Sequence, residues 1–387
     1  MNNSLLILFL FSSLCIFSND GAYYASGNQL IPINETDICI TKEILSIVKK
    51  TEYDKENDSK MDYAYVTVNY TFFNSSAEKT ILVGFEAPSP SGDVNGHPIK
   101  GRHPYISKFD VTMNGQLLDH KTSIVNEETY YINNKINEKT ENEVVGDDFD
   151  SNDPNFYYVY HFDAKFKQGI NKIIHTYRFA LSGSIMNEYS FDYILTAANR
   201  WGNHQIDDFT LNINMGDSES FYIQNTFFND KDAWVIDNGR SVNSYSQYDE
   251  EPVSKFVIHT GGISFKKKNF KPRGELYLYV PQRYMKDNYE VFDYKQHDLP
   301  DKISIRDTKE HRNSEIHTCT YSIDEASFKI LRNLPFAIRG YVFKTKIIQD
   351  YYLSQIWYKP NASYSLNLNT LSKEEKEWLK VVKQNTW

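Results

Sequence analysis

The sequence YAYVTVNYTFF, residues Tyr63–Phe73, decides the fold class. Apolar side chains stand at every second position of this stretch, and most residues between them are polar. Successive side chains of a β-strand point to opposite faces, so a period of two predicts a strand with one buried face. The predicted inward positions are Ala64, Val66, Val68, Tyr70 and Phe72.

The same alternation recurs between about residues 35 and 280 of the 387-residue chain. Turn residues separate the runs. Asn114-Gly115 is a strong signal for a tight hairpin, and Gln168-Gly169 predicts a second hairpin. Many short strands with almost no helical period favour an antiparallel β-sandwich over residues 19–283, built as one domain or as two β subdomains.

An acidic, Asn-rich segment at residues 132–154 interrupts the strands and predicts a long surface loop. Within it, Asp148, Asp150 and Asn152 place oxygen-bearing side chains at alternate positions, as a calcium loop requires. The EF-hand form is excluded because the Gly and Glu that it needs are missing. Calcium bound at these three residues is one interpretation, and a solvated acidic loop is the other.

The pattern becomes helical in the C-terminal part. A polar region without periodicity at 284–321 is interpreted as a linker. In residues 322–387, Ser322–Glu325 and Ser372–Glu375 match the S-x-x-E capping box that opens helices. The predicted fold class is therefore α+β, with an N-terminal antiparallel β-sandwich followed by a small all-α C-terminal module.

The stretch LRNLPFAIRGYVFKTKIIQDYYLSQIWYKP, residues Leu331–Pro360, resembles the YARHG domain, a small extracellular module of bacteria. In the motif that names this domain, Phe336, Ile338 and Arg339 replace Tyr, Arg and His. The chain therefore has no motif histidine for catalysis or metal binding. The resemblance is carried, in order and spacing, by Leu331-Arg332-Asn333, Phe336–Tyr341, Phe343-Lys344, Gln349, Tyr351-Tyr352 and Trp357-Tyr358.

Four residues of this stretch are candidate ligand-binding residues: Arg339, Tyr341, Trp357 and Tyr358. Aromatic rings stack on sugars or peptides, and a guanidinium binds carboxylates with two hydrogen bonds. The alternative is that the rings form the core of a domain too small to spare apolar surface. Pro335 predicts a break in the helix before Arg339.

The N-terminus predicts export. Residues 1–18 read as a signal peptide, because the apolar run Leu5–Phe17 is too short to span a bilayer. An uncleaved anchor or a lipoprotein modified at Cys15 is the alternative. No later segment is long and apolar enough to span, so we expect a periplasmic or secreted protein. Its two remaining cysteines, Cys39 and Cys319, either pair in the oxidising compartment or stay as buried thiols.

The β part is similar to a family of exported bacterial proteins, domain of unknown function 4424. This resemblance implies export and implies no reaction. It is carried by NDGAYYASGNQLIPINETDICITKEILSI, VNYTFFNSSAEKTILVGFEAP and LTAANRWGNHQIDDFTLNI, at residues 19–47, 68–88 and 195–213.

Charge and motifs exclude several classes. The net charge of −9 argues against nucleic acid as a partner, because binding to phosphates needs a basic field. No G-x-S-x-G, Walker or H-E-x-x-H pattern is present, and the histidines lack paired zinc spacing. The lysine-rich stretch Lys266–Arg273 predicts a solvated turn, or a contact with anionic envelope surfaces.

The function predicted from the sequence is that of an exported bacterial cell-envelope protein with a non-enzymatic binding or structural role. The YARHG-like module would be the interaction unit, and an envelope polymer or envelope protein would be the partner. No cofactor is expected apart from the calcium alternative. The second hypothesis is an exported hydrolase whose site assembles from residues distant in sequence.

Overall fold

The structure is a computed structural model. It describes residues 30–32, 37–54, 58–92, 94–126, 130–133, 135–145, 154–217, 219–229, 233–246, 251–282, 302–306, 318–322, 325–353, 358 and 360–384. Among these residues, no helix has the length and apolar character needed to cross a membrane.

Nineteen strands and four α-helices are described. The strands are β1 Leu30–Pro32, β2 Ile38–Asp54, β3 Ser59–Asn74, β4 Lys79–Pro88, β5 Ile106–Met113, β6 Gln116–Leu117, β7 Lys121–Val125, β8 Tyr131–Ile132, β9 Lys135–Ile136, β10 Tyr157–Phe166, β11 Gly169–Ala180, β12 Asn187–Tyr193, β13 Ile206–Asn214, β14 Glu219–Gln224, β15 Trp234–Tyr245, β16 Pro252–Phe270, β17 Leu276–Pro281, β18 Lys302–Arg306 and β19 Thr318–Ser322. The helices are α1 Glu141–Val144, α2 Glu325–Ile338, α3 Lys346–Leu353 and α4 Lys373–Gln384, with single 3-10 turns at Thr196–Arg200 and Leu368–Thr370.

Two β-sheets face each other across one core. The larger sheet has eleven strands in the order β12-β17-β14-β16-β13-β2-β3-β11-β5-β6, with β15 paired to β16, and the smaller has the order β1-β4-β10-β7. Neighbours pair antiparallel except β2 and β13, which are parallel. The predicted α+β class, with its sandwich-like β part, is confirmed.

The core follows the alternation that the sequence predicted. All five inward positions predicted on β3 are buried, whereas Phe73 on the other face is 42% exposed. Phe72 packs with its ring 4.5 Å from that of Trp201 and 5.4 Å from that of Phe166, which comes from the smaller sheet. Burial of such rings on both sheets supplies most of the favourable free energy of this fold.

One of the two predicted hairpins forms. Asn114 and Gly115 have positive φ angles of 52° and 84° and connect β5 to β6. The hairpin predicted at Gln168-Gly169 is wrong: β10 pairs within the smaller sheet and β11 within the larger one. This turn carries the chain from one sheet to the other. A hairpin and a crossing between sheets show the same alternation of apolar and polar residues. The alternation gives the buried face of each strand but not the strand with which it pairs.

Three further expectations need correction. Lys266, Lys267 and Lys268 lie inside β16, so this part of the basic stretch is strand and not turn. The segment predicted as a loop is partly folded, because β8, β9 and α1 occupy residues 131–144. The linker region contains the paired strands β18 and β19. The division into a β domain and a helical domain stays a proposal.

Helix α2 continues through Pro335, contrary to the predicted break. A proline inside a helix leaves the carbonyl four residues earlier without its usual N–H donor. Here the indole N–H of Trp378 donates to that carbonyl, the one of Leu331, at 3.1 Å. A side chain of α4 thus replaces the hydrogen bond that the proline removes.

The two capping boxes have different outcomes. The box at Ser372–Glu375 forms: the backbone N–H of Glu375 donates to Ser372 Oγ at 3.2 Å, and that of Ser372 donates to Glu375 Oε2 at 2.8 Å. Helix α4 begins at Lys373, immediately after this serine. Ser322 ends β19, and residues 323 and 324 lie outside the described residues, so the predicted first box stays a prediction.

Candidate functional site

A short hairpin covers part of the outer face of the smaller sheet. The strands β8 and β9 form this hairpin, and its contact with β7 and β10 buries a small cluster separate from the main core. Val125, Tyr130 and Val159 are the buried members of this cluster. The hydroxyl of Tyr130 donates to Glu86 Oε1 at 2.6 Å, which fastens the hairpin to β4.

A cleft of about 630 Å³ lies beside this hairpin. Its walls come from the hairpin, from β4, β7 and β10, and from the residues that precede β7. We call it the hairpin cleft. Its lining residues are Leu82, Leu118, Asp119, His120, Lys121, Tyr131, Lys135, Ile136, Glu138, His161, Phe162 and Asp163.

A serine, a histidine and a carboxylate meet at one end of the hairpin cleft. Ser123 Oγ lies 2.8 Å from His161 Nε2 and 2.6 Å from Glu138 Oε1. Ser123 pairs in register with Val159, two residues before His161 on β10, so both side chains lie on the outer face of the sheet. Glu138 reaches them from the segment after β9, which pairs with β7 at the next residue, Lys139.

The contacts among Ser123, His161 and Glu138 determine which group donates and which accepts in each hydrogen bond. An ionised carboxylate can only accept, so the Ser123 hydroxyl donates to Glu138. His161 must then donate its Nε2–H to Ser123 Oγ. Burial lowers the pKa of His161, although the charge of Glu138 opposes this effect, so the imidazole is neutral near pH 7. A catalytic serine needs the opposite arrangement, in which the hydroxyl donates to an unprotonated imidazole nitrogen.

Four charged side chains line the rest of the hairpin cleft without partners. Asp119, Lys121, Lys135 and Asp163 are all exposed. Within the described part of the chain, none of the four makes an ion pair or a side-chain hydrogen bond. Their charges are therefore available to a ligand and are not used to hold the fold together.

The second histidine of the hairpin cleft is His120. Its ring packs edge-on against Phe109, with 4.9 Å between centroids. Burial lowers the pKa of His120, and the charge of Arg102 acts in the same direction. Among the described residues no cluster of three or more His, Cys, Asp or Glu could hold a metal ion. The calcium candidates Asp148, Asp150 and Asn152 lie outside the described residues.

Sequence reasoning missed this site. His161 and Asp163 occupy alternate outward positions of β10, where polar residues are ordinary for a solvated face. The available signal was that Tyr130 and Tyr131, just before the acidic segment, and Ile136, within it, are apolar enough to fold back onto the sheet. His103, one of the histidines without paired zinc spacing, is buried. Its Nδ1 accepts the backbone N–H groups of residues 105 and 106 at 3.1 and 3.2 Å.

The helical module has a core of its own. Side chains from α2, α3 and α4 form one buried cluster around Trp378, which is fully buried. Phe343 and Tyr352 stack in this cluster with 5.1 Å between ring centroids. The hydroxyl of Tyr352 donates to the carbonyl of Ile330 at 2.6 Å. The aromatic stripe of this region therefore forms mainly a core, as the alternative interpretation expected.

Arg339 lies at the end of α2 and points into this core region. Its guanidinium makes two hydrogen bonds of 2.8 Å to the carboxylate of Glu375, one from each terminal nitrogen. It also donates to the backbone carbonyls of Pro335 and Thr370, at 2.6 and 3.0 Å. Gly340 follows with a φ of 81°, which ends the helix at low cost because glycine adopts this conformation readily.

Comparison with protein families identifies the C-terminal region. Residues 309–386 match the family model of the YARHG domain. The chain carries a YARHG domain. The resemblance seen in the sequence is thereby confirmed for this region, whereas the similarity of the β part to domain of unknown function 4424 stays a prediction.

Comparisons over the whole chain add less. No curated protein matches the sequence. Among solved structures, a Legionella pneumophila protein described as a candidate nutrient-binding protein aligns with a TM-score of 0.44 and 16% identity. The alignment covers 95% of this chain and 99% of that one. At this TM-score we base no argument on the likeness.

Two of the remaining candidate ligand residues, Tyr341 and Tyr358, have contacts inside the YARHG domain. The hydroxyl of Tyr358 donates to the backbone carbonyl of Tyr341 at 2.6 Å. Tyr358 is buried, and the half-buried ring of Tyr341 packs edge-on against Phe343. Trp357 lies outside the described residues. The structure thus brings Tyr341 and Tyr358 together and places Arg339 apart from them, on Glu375. Ligand binding by these residues stays a prediction.

Proposed function

We propose that this protein is an exported binding protein of the bacterial envelope, without catalytic activity. The observation that carries the proposal is the set of unpaired charges of both signs in the hairpin cleft. Charged side chains that line a concave site and make no ion pair within the fold are available to bind a ligand.

The donor and acceptor roles within the group formed by Ser123, His161 and Glu138 support a non-enzymatic role. The hydroxyl proton goes to Glu138, so Ser123 has no base in this arrangement. Neutral His161 keeps an acceptor lone pair on Nδ1, to which no described residue donates. The triplet is suited to hold a ligand donor in a fixed position, since each of its members is already oriented by another.

The YARHG domain is proposed as an attachment unit, with an envelope polymer or envelope protein as its partner. Among the described residues of this domain, five large apolar side chains are exposed at 39% to 62%: Val342, Ile347, Leu353, Leu366 and Leu368. A domain with its own buried core can expose such groups to a partner without losing its fold.

The proposal is tested with the mature chain, residues 19–387, against isolated envelope fractions and the soluble metabolite pool. We expect retention of a component, and weaker retention by Lys121→Gln/Lys135→Gln if the component occupies the hairpin cleft. A deletion of the YARHG domain separates attachment from small-ligand binding. A mature chain that retains nothing from either source contradicts the proposal.

A hydrolase is the second candidate, favoured by the 2.8 Å contact between Ser123 and His161. If Glu138 were displaced by a substrate, the Ser123 hydroxyl could turn to His161. Hydrolysis of activated esters that is lost in Ser123→Ala and kept in Ser107→Ala would establish this function. We expect no activity above the uncatalysed rate for either variant or for the wild type.

A further inference from the structure

We infer that the hairpin cleft binds a short peptide with a free amino terminus and a free carboxyl terminus. The inference rests on the proposed binding function and names its ligand. No residue of the YARHG domain takes part, so the site belongs to the β part alone.

The positive and negative side chains of the hairpin cleft are spaced so that one such ligand can reach both. Lys121 on β7 lies opposite His161 on β10, and Asp163 follows two residues later on the same face. Two residues of a strand span about 7 Å. Lys121 and Asp163 are therefore diagonal neighbours on adjacent strands, near enough to receive the two ends of one small molecule, and neither forms an ion pair within the described part of the chain. Lys135 and Asp119 add a second charge of each sign.

Ligands with a single sign of charge fit poorly. A phosphate or a simple carboxylate would meet Lys121 and Lys135 but also the carboxylates of Asp119, Glu138 and Asp163. A polyamine would meet both lysines. A zwitterion satisfies both sets, because its carboxylate binds the lysines and its ammonium binds the aspartates.

The apolar part of the lining favours a peptide over a single amino acid. Leu82, Leu118, Tyr131 and Ile136 are half-buried and line the same cleft as the charges. A cleft of about 630 Å³ is within the usual range for small-ligand sites and larger than one amino acid fills. Peptide side chains would cover these apolar groups, and His161, which lines the cleft, would meet a backbone group of the ligand.

The test is equilibrium dialysis of the mature full chain against an equimolar library of dipeptides and tripeptides, followed by mass spectrometry of the retained molecules. A second arm uses the same library with acetylated amino and amidated carboxyl termini, and a third uses the free amino acids. We expect retention of the unblocked peptides only, and at least a tenfold loss in Lys121→Gln/Lys135→Gln and in Asp119→Asn/Asp163→Asn.

Lys172→Gln is the matched control, because Lys172 is exposed on β11 away from the hairpin cleft and should bind as the wild type does. Equal retention of blocked peptides would overturn the role of the charges. Retention of free amino acids alone would overturn the assignment to peptides. Retention of nothing from any arm overturns the inference, while binding to an envelope component would leave the proposed function standing.

Discussion

Arg339 and Glu375 form a buried ion pair that joins the end of α2 to the first turn of α4. Two hydrogen bonds of 2.8 Å run in parallel between them, and the side chains are 5% and 0% exposed. The same carboxylate accepts the backbone N–H of Ser372, so the ion pair and the capping box of α4 share one glutamate. Arg339, which replaces the histidine of the YARHG motif, therefore links the end of α2 to α4 through Glu375.

Loss of Arg339 should destabilise the YARHG domain. Arg339→Ala leaves the Glu375 carboxylate buried without its partner, which costs about 3–5 kcal/mol. Arg339→Met/Glu375→Leu should recover much of this loss, because no charge stays buried. Urea unfolding followed by tryptophan fluorescence measures both.

The control is Lys380→Ala, since Lys380 pairs with Glu377 on the surface of the same helix and should change stability by less than about 0.5 kcal/mol. An Arg339→Ala variant as stable as the control would show that the guanidinium does not hold the helices together. It would favour the ligand-binding prediction for this residue.

The helical module should fold alone. In the described part of the chain, its buried cluster draws on residues between Ile330 and Val382, so residues 321–387 include these members of the core. Trp357→Ala should unfold the fragment if this ring is buried, because truncating a buried tryptophan costs about 3–5 kcal/mol. Circular dichroism of the fragment decides this. A fragment without helix would show that the module depends on the β part.

Stability should fall as the pH is lowered from neutral. Burial lowers the pKa of both His103 and His175 to about 3, and no described residue makes a hydrogen bond to either ring nitrogen of His175. The unfolded chain takes up protons near pH 6.5, whereas the folded chain does not until about pH 3. Each histidine therefore costs about 2 kcal/mol between pH 7.5 and pH 5.

The measurement is the free energy of unfolding across this pH range. His175→Phe should remove about half of the decline in the free energy of unfolding, because one of the two titrating histidines is gone. A phenylalanine should fit at this position, since the ring is surrounded by Phe85, Phe109 and Tyr177 with centroids 4.8–5.3 Å away. A free energy that stays constant from pH 7.5 to pH 5 contradicts the prediction.

The mature protein should begin near Asn19. The apolar run Leu5–Phe17 lies outside the described residues, so this prediction rests on the sequence. Mass spectrometry of the protein from periplasmic and culture fractions should find the cleaved N-terminus. An intact Met1 in a cytoplasmic fraction would contradict the prediction.

Calcium should raise the melting temperature if Asp148, Asp150 and Asn152 bind it, because a ligand of the folded state stabilises that state. Millimolar calcium is added to the wild type and to Asp150→Ala, with magnesium as the ionic control. The variant should lose the rise. An unchanged wild-type melting temperature leaves the solvated acidic segment as the only interpretation.

The sequence by itself determined many strands of the two large sheets, the helix α4 and the identity of the C-terminal domain. Alternation along residues 63–73 could be read without any partner strand, because side-chain direction in a strand depends on the local backbone alone. The capping box at Ser372 and Glu375 is local in the same sense, since its hydrogen bonds span three residues.

Only the tertiary structure decided the contacts between distant residues. The turn at Gln168-Gly169 looks like a hairpin in sequence, yet it separates two sheets. Pro335 looks like a helix break until Trp378, 43 positions later, supplies the missing donor. The hairpin cleft gathers residues from Leu82 to Asp163 in the same way. Such contacts depend on which surfaces pack together. The free energy of burying apolar surface over the whole core determines this packing, and no local sequence pattern encodes it.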